Sequence, residues 1–167
     1  LFTKDGVKYT FIMPDSRVTV KAAFVPVVQE PVNPFTDVST GDYYYNSVLW
    51  AVANGVTSGA SATTFAPNAT VTRAQAMTFL WRAHGSPKAT GSNPFTDVSA
   101  SDYYYDAVLW AVANGVTSGT SETTFSPDAP VTRCQAVTFQ WRAAGSPVIA
   151  GDSFDDVAAD AYYAGAV

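Results

Sequence analysis

The residues that build most metal and disulfide sites are almost missing: 167 residues include one cysteine, Cys134, and one histidine, His84. A single thiol excludes an internal disulfide framework, and one of each excludes the common zinc sites. Charge is scarce as well. Asp, Glu, Lys and Arg together make 14% of the chain, against roughly 25% in ordinary soluble domains. The net charge of −5 argues against a general binder of nucleic acid or of anionic membranes. Any anionic ligand must be held by a few local cations. No apolar run approaches the roughly 18 residues that span a bilayer, so membrane insertion is not expected. Phosphate loops, nucleophile elbows, dinucleotide fingerprints and calcium loops are absent, and no motif implies a cofactor or a metal.

What the chain does contain is apolar mass and repetition. Hydrophobic residues make 47% of it, enough for a packed core and too many for disorder. The polar remainder is mostly uncharged, a style that suits an extracellular protein. Residues 33–87 and 93–147 align without a gap and are identical at more than three positions in four. Such self-similarity marks a tandem architecture. A third copy begins in 153–167 with "FDDVAADAYYAGAV" and stops near the middle of its first helix, so the chain is expected to be part of a longer protein. Residues 1–24 differ. "KDG" signals a turn, and Val18, Val20, Ala22 and Phe24 alternate as in a strand with one buried face. They are expected to be the end of an upstream β-rich repeat, joined by a Pro-rich linker at 25–32.

Each full repeat predicts two helices. The first spans about Tyr43 to Asn54, with Asp42 as its N-cap and Tyr45, Val48, Leu49 and Val52 as its apolar stripe. Asn54-Gly55 supplies a left-handed stop. After a turn-rich loop the second helix starts at Thr72, where Thr72 and Gln75 have the spacing of a capping box, and it ends at Gly85 and Pro87. Helices of about twelve residues are marginal alone. Several such pairs must pack together, and the expected fold class is mainly α.

The candidate chemistry is sparse. Asp37, Asp97 and Asp156 recur in "F-x-D-V", where an aspartate either meets a ligand or caps a turn. Paired carboxylates suggest a glycosidase, but an active site copied in tandem is unusual. Cys134 aligns with Ala74 and is expected to be a small buried thiol; His84 aligns with Ala144 and is expected to lie idle on the surface. Trp50, Trp81, Trp110 and Trp141 are expected to pack in the core or between repeats. Successive positions of a helix diverge by about 100°, so one tyrosine of each triplet, Tyr43–Tyr45 and Tyr103–Tyr105, must face solvent, where its ring can stack on a sugar. Arg82 and Arg142 sit in last helical turns, where a cation suits the dipole, and are expected to be surface residues. Arg73 and Arg133 sit in first turns, where it does not. Each either bridges to a carboxylate such as Asp37 or Asp97, or joins the helix amides in cradling an anion.

These residues resemble a known family. "FTDV", the tyrosine run, "AVLWAVANGVTSGTSETTFSPDAPVTR" and "WRAAG" are similar to the S-layer homology domain over 35–145 and again from Phe154. The resemblance implies three two-helix repeats closed into a pseudo-threefold helical bundle, incomplete here. It implies binding to an anionic, often pyruvylated, polysaccharide attached to peptidoglycan, and a place in the cell wall or surface layer. The family's T-R-A-E motif maps to Thr72-Arg73-Ala74-Gln75 and Thr132-Arg133-Cys134-Gln135, so Arg73 and Arg133 are expected to meet a pyruvate carboxylate. Its aromatic, usually Trp, maps to Tyr43, Tyr103 and Tyr162, and its loop glycine to Gly59 and Gly119. Tyr43 and Tyr103 would stack on sugar, and Asp37 and Asp97 would bond hydroxyls. Two rivals remain: a self-assembling or protein-binding module of a surface layer, and the anchor of an extracellular hydrolase.

Overall fold

The computed structural model describes residues 3–5, 8–10, 15–17, 32–148 and 154–167. The chain divides into two units, Leu1–Glu30 and Pro31–Val167. In the first, β1 (Thr3–Asp5) pairs antiparallel with β2 (Lys8–Thr10), Asp5 facing Lys8 and Thr3 facing Thr10. The strand expected at Val18–Phe24 lies outside the described residues.

Among the described residues, the second unit carries four helices: α1 (Tyr45–Ala53), α2 (Arg73–Ala83), α3 (Tyr105–Ala113) and α4 (Arg133–Ala143), followed by a 3-10 turn at Ala164–Ala166. The mainly helical expectation holds. Both full repeats open with the same side-chain scaffold. The Asn33 side chain accepts from the Phe35 amide at 3.0 Å and donates to the Val38 carbonyl at 2.7 Å, which folds the chain so that Phe35 and Val38 point inward. Asn93 does the same for Phe95 and Val98.

The first helices begin later than expected. Asp42 is not the N-cap of α1: its carboxylate accepts from the Ser39 amide at 2.7 Å and closes a turn ahead of the helix. An aspartate carboxylate can tie either structure, and the preceding Ser-Thr-Gly lets the chain turn first. The capping boxes of α2 and α4 form as the Thr-x-x-Gln spacing predicts. Thr72 accepts from Gln75 N–H at 3.3 Å while Gln75 accepts from Thr72 N–H at 3.0 Å, and Thr132 with Gln135 repeats this at 3.4 and 3.1 Å.

Packing does not follow the sequence repeat. The second helix of one repeat lies on the first helix of the next: α2 packs chiefly on α3, and α4 meets the 3-10 turn. The main core therefore mixes Ala74 and Met77 from the first repeat with Val108, Trp110, Phe125 and Phe139 from the second. Phe35, Val38 and Val48 form a smaller cluster of their own around Tyr44, Tyr45 and Phe65. Two expectations about aromatics change as a result. Trp110 is 7% exposed, but Trp50, at the matching position of α1, is 58% exposed. His84 is exposed yet not idle, for its ring centre lies 5.1 Å from that of Trp110 and its Nδ1 lies 2.7 Å from the Leu80 carbonyl oxygen.

Candidate functional site

Arg73, the first residue of α2, is 4% exposed and enters the second repeat. Its Nε–H donates to the Phe125 carbonyl at 2.9 Å, and an Nη2–H donates to Thr117 Oγ1 at 3.3 Å. The guanidinium carbon stands 5.0 Å from the Phe125 ring centre and 5.5 Å from that of Phe139, within cation–π range. The α2 amides are engaged too. Arg73 N–H donates to the Ala129 carbonyl at 2.9 Å and Ala74 N–H to the Pro127 carbonyl at 3.0 Å. Val131 N–H returns a bond to the Val71 carbonyl at 3.0 Å, beside a single bridge between Thr72 and Pro130.

This arrangement explains a cation at a helix N-terminus. The positive end of α2 and the guanidinium share one place, and the 125–129 loop turns three carbonyl oxygens toward it. Burial pushes the Arg73 pKa down, and the nearby Asp97 carboxylate offsets part of that. The amides that would cradle an anion on α2 are already bonded to protein.

Asp37 and Asp97 clamp loops. Asp37 accepts from the amides of Phe65 at 2.8 Å and Ala66 at 2.7 Å; Asp97 accepts from Phe125 at 2.9 Å and Ser126 at 2.8 Å. Ala66 and Ser126 have φ of 60° and 59°. A non-glycine residue there costs about 1 kcal/mol or more, and the carboxylate holds it in place. The Phe65 amide leads in lowering the Asp37 pKa. For Asp97, burial works upward but the Phe125 and Ser126 amides and Arg73 outweigh it, leaving the pKa below the usual carboxylate range.

Gly59 and Gly119 are glycine for steric reasons. Both have positive φ, 83° and 89°. A Cβ would overlap the Phe35 or Phe95 ring and come within 2.8 Å of the Thr64 carbonyl oxygen or 2.7 Å of that of Thr124.

The outward tyrosines sit where the triplets predict. Tyr43 is 97% and Tyr103 63% exposed. Each ring stands edge-on to its neighbour, Tyr44 or Tyr104, at 5.0 Å, and Tyr162 repeats this with Tyr163 at 5.1 Å. Burial and the Asp102 carboxylate push the Tyr104 pKa up to about 12, so this anchoring ring stays neutral at any physiological pH.

Arg133 is exposed and lines a cavity of about 550 Å³ with Cys134, Phe154, Asp156 and Tyr163. Cys134 is not sealed in the core: it is half-buried, with Sγ 3.1 Å from Thr132 Oγ1 and 3.2 Å from the Tyr162 hydroxyl. Arg73 and Asp97 thus meet through Phe125, and Arg133 and Asp156 share one cavity. Tyr103 and Gly59 line a different groove, together with Arg82. The role of Arg82 and Arg142 was not visible as one, although both recur at matching positions in "WRA". Each donates Nη1–H to a loop carbonyl of its own repeat, Val56 or Val116, at 3.4 Å. Among the described residues no group of three or more His, Cys, Asp or Glu is placed to hold a metal, and no helix is long and apolar enough to cross a membrane.

Comparison with known proteins agrees with the repeat. The S-layer homology domain matches residues 34–77 and 94–137. A surface-layer 125 kDa protein of Lysinibacillus sphaericus is 36% identical over 118 residues, covering 70% of this chain and 10% of that protein. An endoglucanase of Bacillus sp. strain KSM-635 is 29% identical over 131 residues, covering 74% of this chain and 14% of the enzyme. The chain therefore spans a small part of the relatives it matches. With the family matching more than half of its residues, in register with both structural repeats, the chain belongs to the S-layer homology domain family.

Proposed function

We propose that the chain is a non-catalytic anchor that holds a surface protein to an anionic, pyruvylated polysaccharide linked to peptidoglycan. A cell-surface, extracellular location and a cell-wall anchoring role come with the family. The observation that carries the ligand reading is the outward tyrosine at the head of each repeat, Tyr43, Tyr103 and Tyr162, held edge-on by its neighbour. An exposed ring held by one partner loses little freedom on stacking against a sugar face.

Around those rings, Arg133 offers an exposed guanidinium to a ketal carboxylate. Arg73 is its counterpart by position in the repeat, with a guanidinium already held by Phe125 and Thr117. Asp37 and Asp97 keep lone pairs for sugar hydroxyls beyond the amides they hold, and Gly59 and Gly119 let the loops close tightly. Single sites of this kind are modest, and repetition raises retention through effective concentration. The endoglucanase relative suits a parent protein in which catalysis lies elsewhere and this segment serves attachment.

A second reading, a protein-binding module within a surface layer, is favoured by the likeness to the surface-layer 125 kDa protein. Retention on purified walls, before and after removal of their polysaccharide, separates the two. Retention that depends on the polysaccharide supports the anchor. Equal retention on stripped walls, or self-association without retention, overturns it.

A further inference from the structure

We propose that Asn54-Gly55 is a site of spontaneous deamidation, at which the asparagine becomes aspartate or isoaspartate, and that it converts ahead of the matching pair Asn114-Gly115. These two are the asparagines that glycine follows in this chain. Both are exposed at helix C-termini, Asn54 capping α1 and Asn114 capping α3.

The chemistry needs no co-reactant but water. The Gly55 backbone nitrogen attacks Cγ of Asn54 and gives up its proton. The bond from Cγ to the side-chain nitrogen breaks, and ammonia leaves with that proton. Water then opens the five-membered imide at one carbonyl or the other, leaving aspartate or isoaspartate. Glycine favours the first step because it has no Cβ to screen its nitrogen and lets the backbone turn freely.

The folded turn opposes that step. Asn54 Nδ2–H donates to the Trp50 carbonyl at 2.8 Å, Gly55 N–H to the Val52 carbonyl at 3.0 Å, and Val56 N–H to the Ala51 carbonyl at 2.8 Å. The Asn54 ψ of 8° also keeps Cγ from the Gly55 nitrogen, so the imide closes only after the Cα–C bond turns. Attack therefore waits for the last turn of α1 to open. Asn114 has the same restraints at the same lengths, to Trp110, Val112 and Ala111, and a ψ of 9°. The surrounding letters are identical over 48–59 and 108–119, so the intrinsic reactivity of the two pairs is the same.

Cover sets them apart. Trp110, whose carbonyl holds Asn114, is 7% exposed and lies against the His84 ring, and Ala111 is fully buried. Trp50 is 58% exposed and Ala51 only half-buried. Opening is least costly where few apolar contacts are lost, so Asn54 reaches the reactive conformation more often. Either product puts a carboxylate at the negative end of the α1 dipole and removes the Nδ2–H that holds the Trp50 carbonyl. Isoaspartate also adds a methylene to the main chain, ahead of the loop in which Gly59 closes on Phe35.

The test is incubation of the full chain in mildly alkaline buffer, native and in guanidinium chloride, followed by proteolysis and peptide mass spectrometry of both sites. In denaturant the two asparagines should convert at the same rate. In the native chain both should slow, and Asn54 should convert about threefold or more faster than Asn114, a ratio set by the difference in opening free energy. His84→Ala, at an exposed position where the second repeat already has Ala144, should raise the Asn114 rate and leave that of Asn54 unchanged. Native rates that are equal, or higher at Asn114, overturn the proposal, and so does a native chain whose Asn54 stays intact while denatured chain converts. An Asn114 rate unmoved by His84→Ala removes cover as the cause of the order.

Discussion

Arg73 donates its Nε–H to the backbone carbonyl of Phe125, 2.9 Å away and 52 residues further along the chain. Phe125 is also held from behind, since its amide donates to Asp97. One residue thus receives a cation through its carbonyl and ring and gives its N–H to an anion, all at a junction between repeats. The consequence is mechanical coupling: α2 cannot leave the second repeat without exposing a carbonyl, a hydroxyl and a guanidinium together.

Removing that coupling should be costly on one side only. Arg73→Ala leaves the Phe125 carbonyl and Thr117 hydroxyl without their donor and empties space under two rings, so chemical denaturation should show a loss of about 2–4 kcal/mol. Arg133→Ala, at an exposed position, should cost less than about 1 kcal/mol. Equal losses would remove the coupling role assigned to Arg73.

Acid should loosen the loops first. The folded pKa values of Asp37 and Asp97 lie below ordinary, so both are ionised at neutral pH, folded or unfolded, and their stabilisation is complete there. It fades as pH falls below about 4, the unfolded value, through the lower folded values. Melting temperature followed from pH 7 to pH 2 should fall in that window. Asp97→Asn should lower it at neutral pH and flatten its acid dependence.

Gly119→Ala combines a forbidden φ with a Cβ 2.7 Å from a backbone carbonyl oxygen, and neither neighbour can give way without moving the loop. A loss of about 2 kcal/mol or more is expected from thermal melts. Gly115→Ala, also at positive φ but with nothing within 4 Å, should cost only about 1 kcal/mol. The difference between the two isolates the close approach from the backbone strain.

The two matched tryptophans should respond unequally. Trp110→Ala empties a core position and should cost about 3–5 kcal/mol, whereas Trp50→Ala, at a largely exposed one, should cost less than about 1. Urea denaturation of the two variants side by side decides this.

Local chemistry was legible in the residues themselves. The Thr-x-x-Gln boxes close within one helical turn, so four letters suffice to specify them. Gly59 and Gly119 could be picked out through the resemblance to the family, and the outward tyrosine by helical geometry. The role of Asp42 was not legible, because an aspartate before a helix can satisfy a cap or a turn, and only the backbone path chooses.

By itself, then, the sequence determined the repeat, its two helices, the capping boxes of the second helices and the family. The tertiary structure alone decided what each copy touches. Residues 48–59 and 108–119 carry the same twelve letters, "VLWAVANGVTSG", yet Trp50 lies open and Trp110 is covered by α2 and His84. Two identical segments have identical propensities. They differ here because burial depends on which helix of a neighbouring repeat arrives against them, and that partner lies far along the chain. The same reason placed Arg73 inside a junction, against Phe125 and Thr117 from 52 and 44 residues further on.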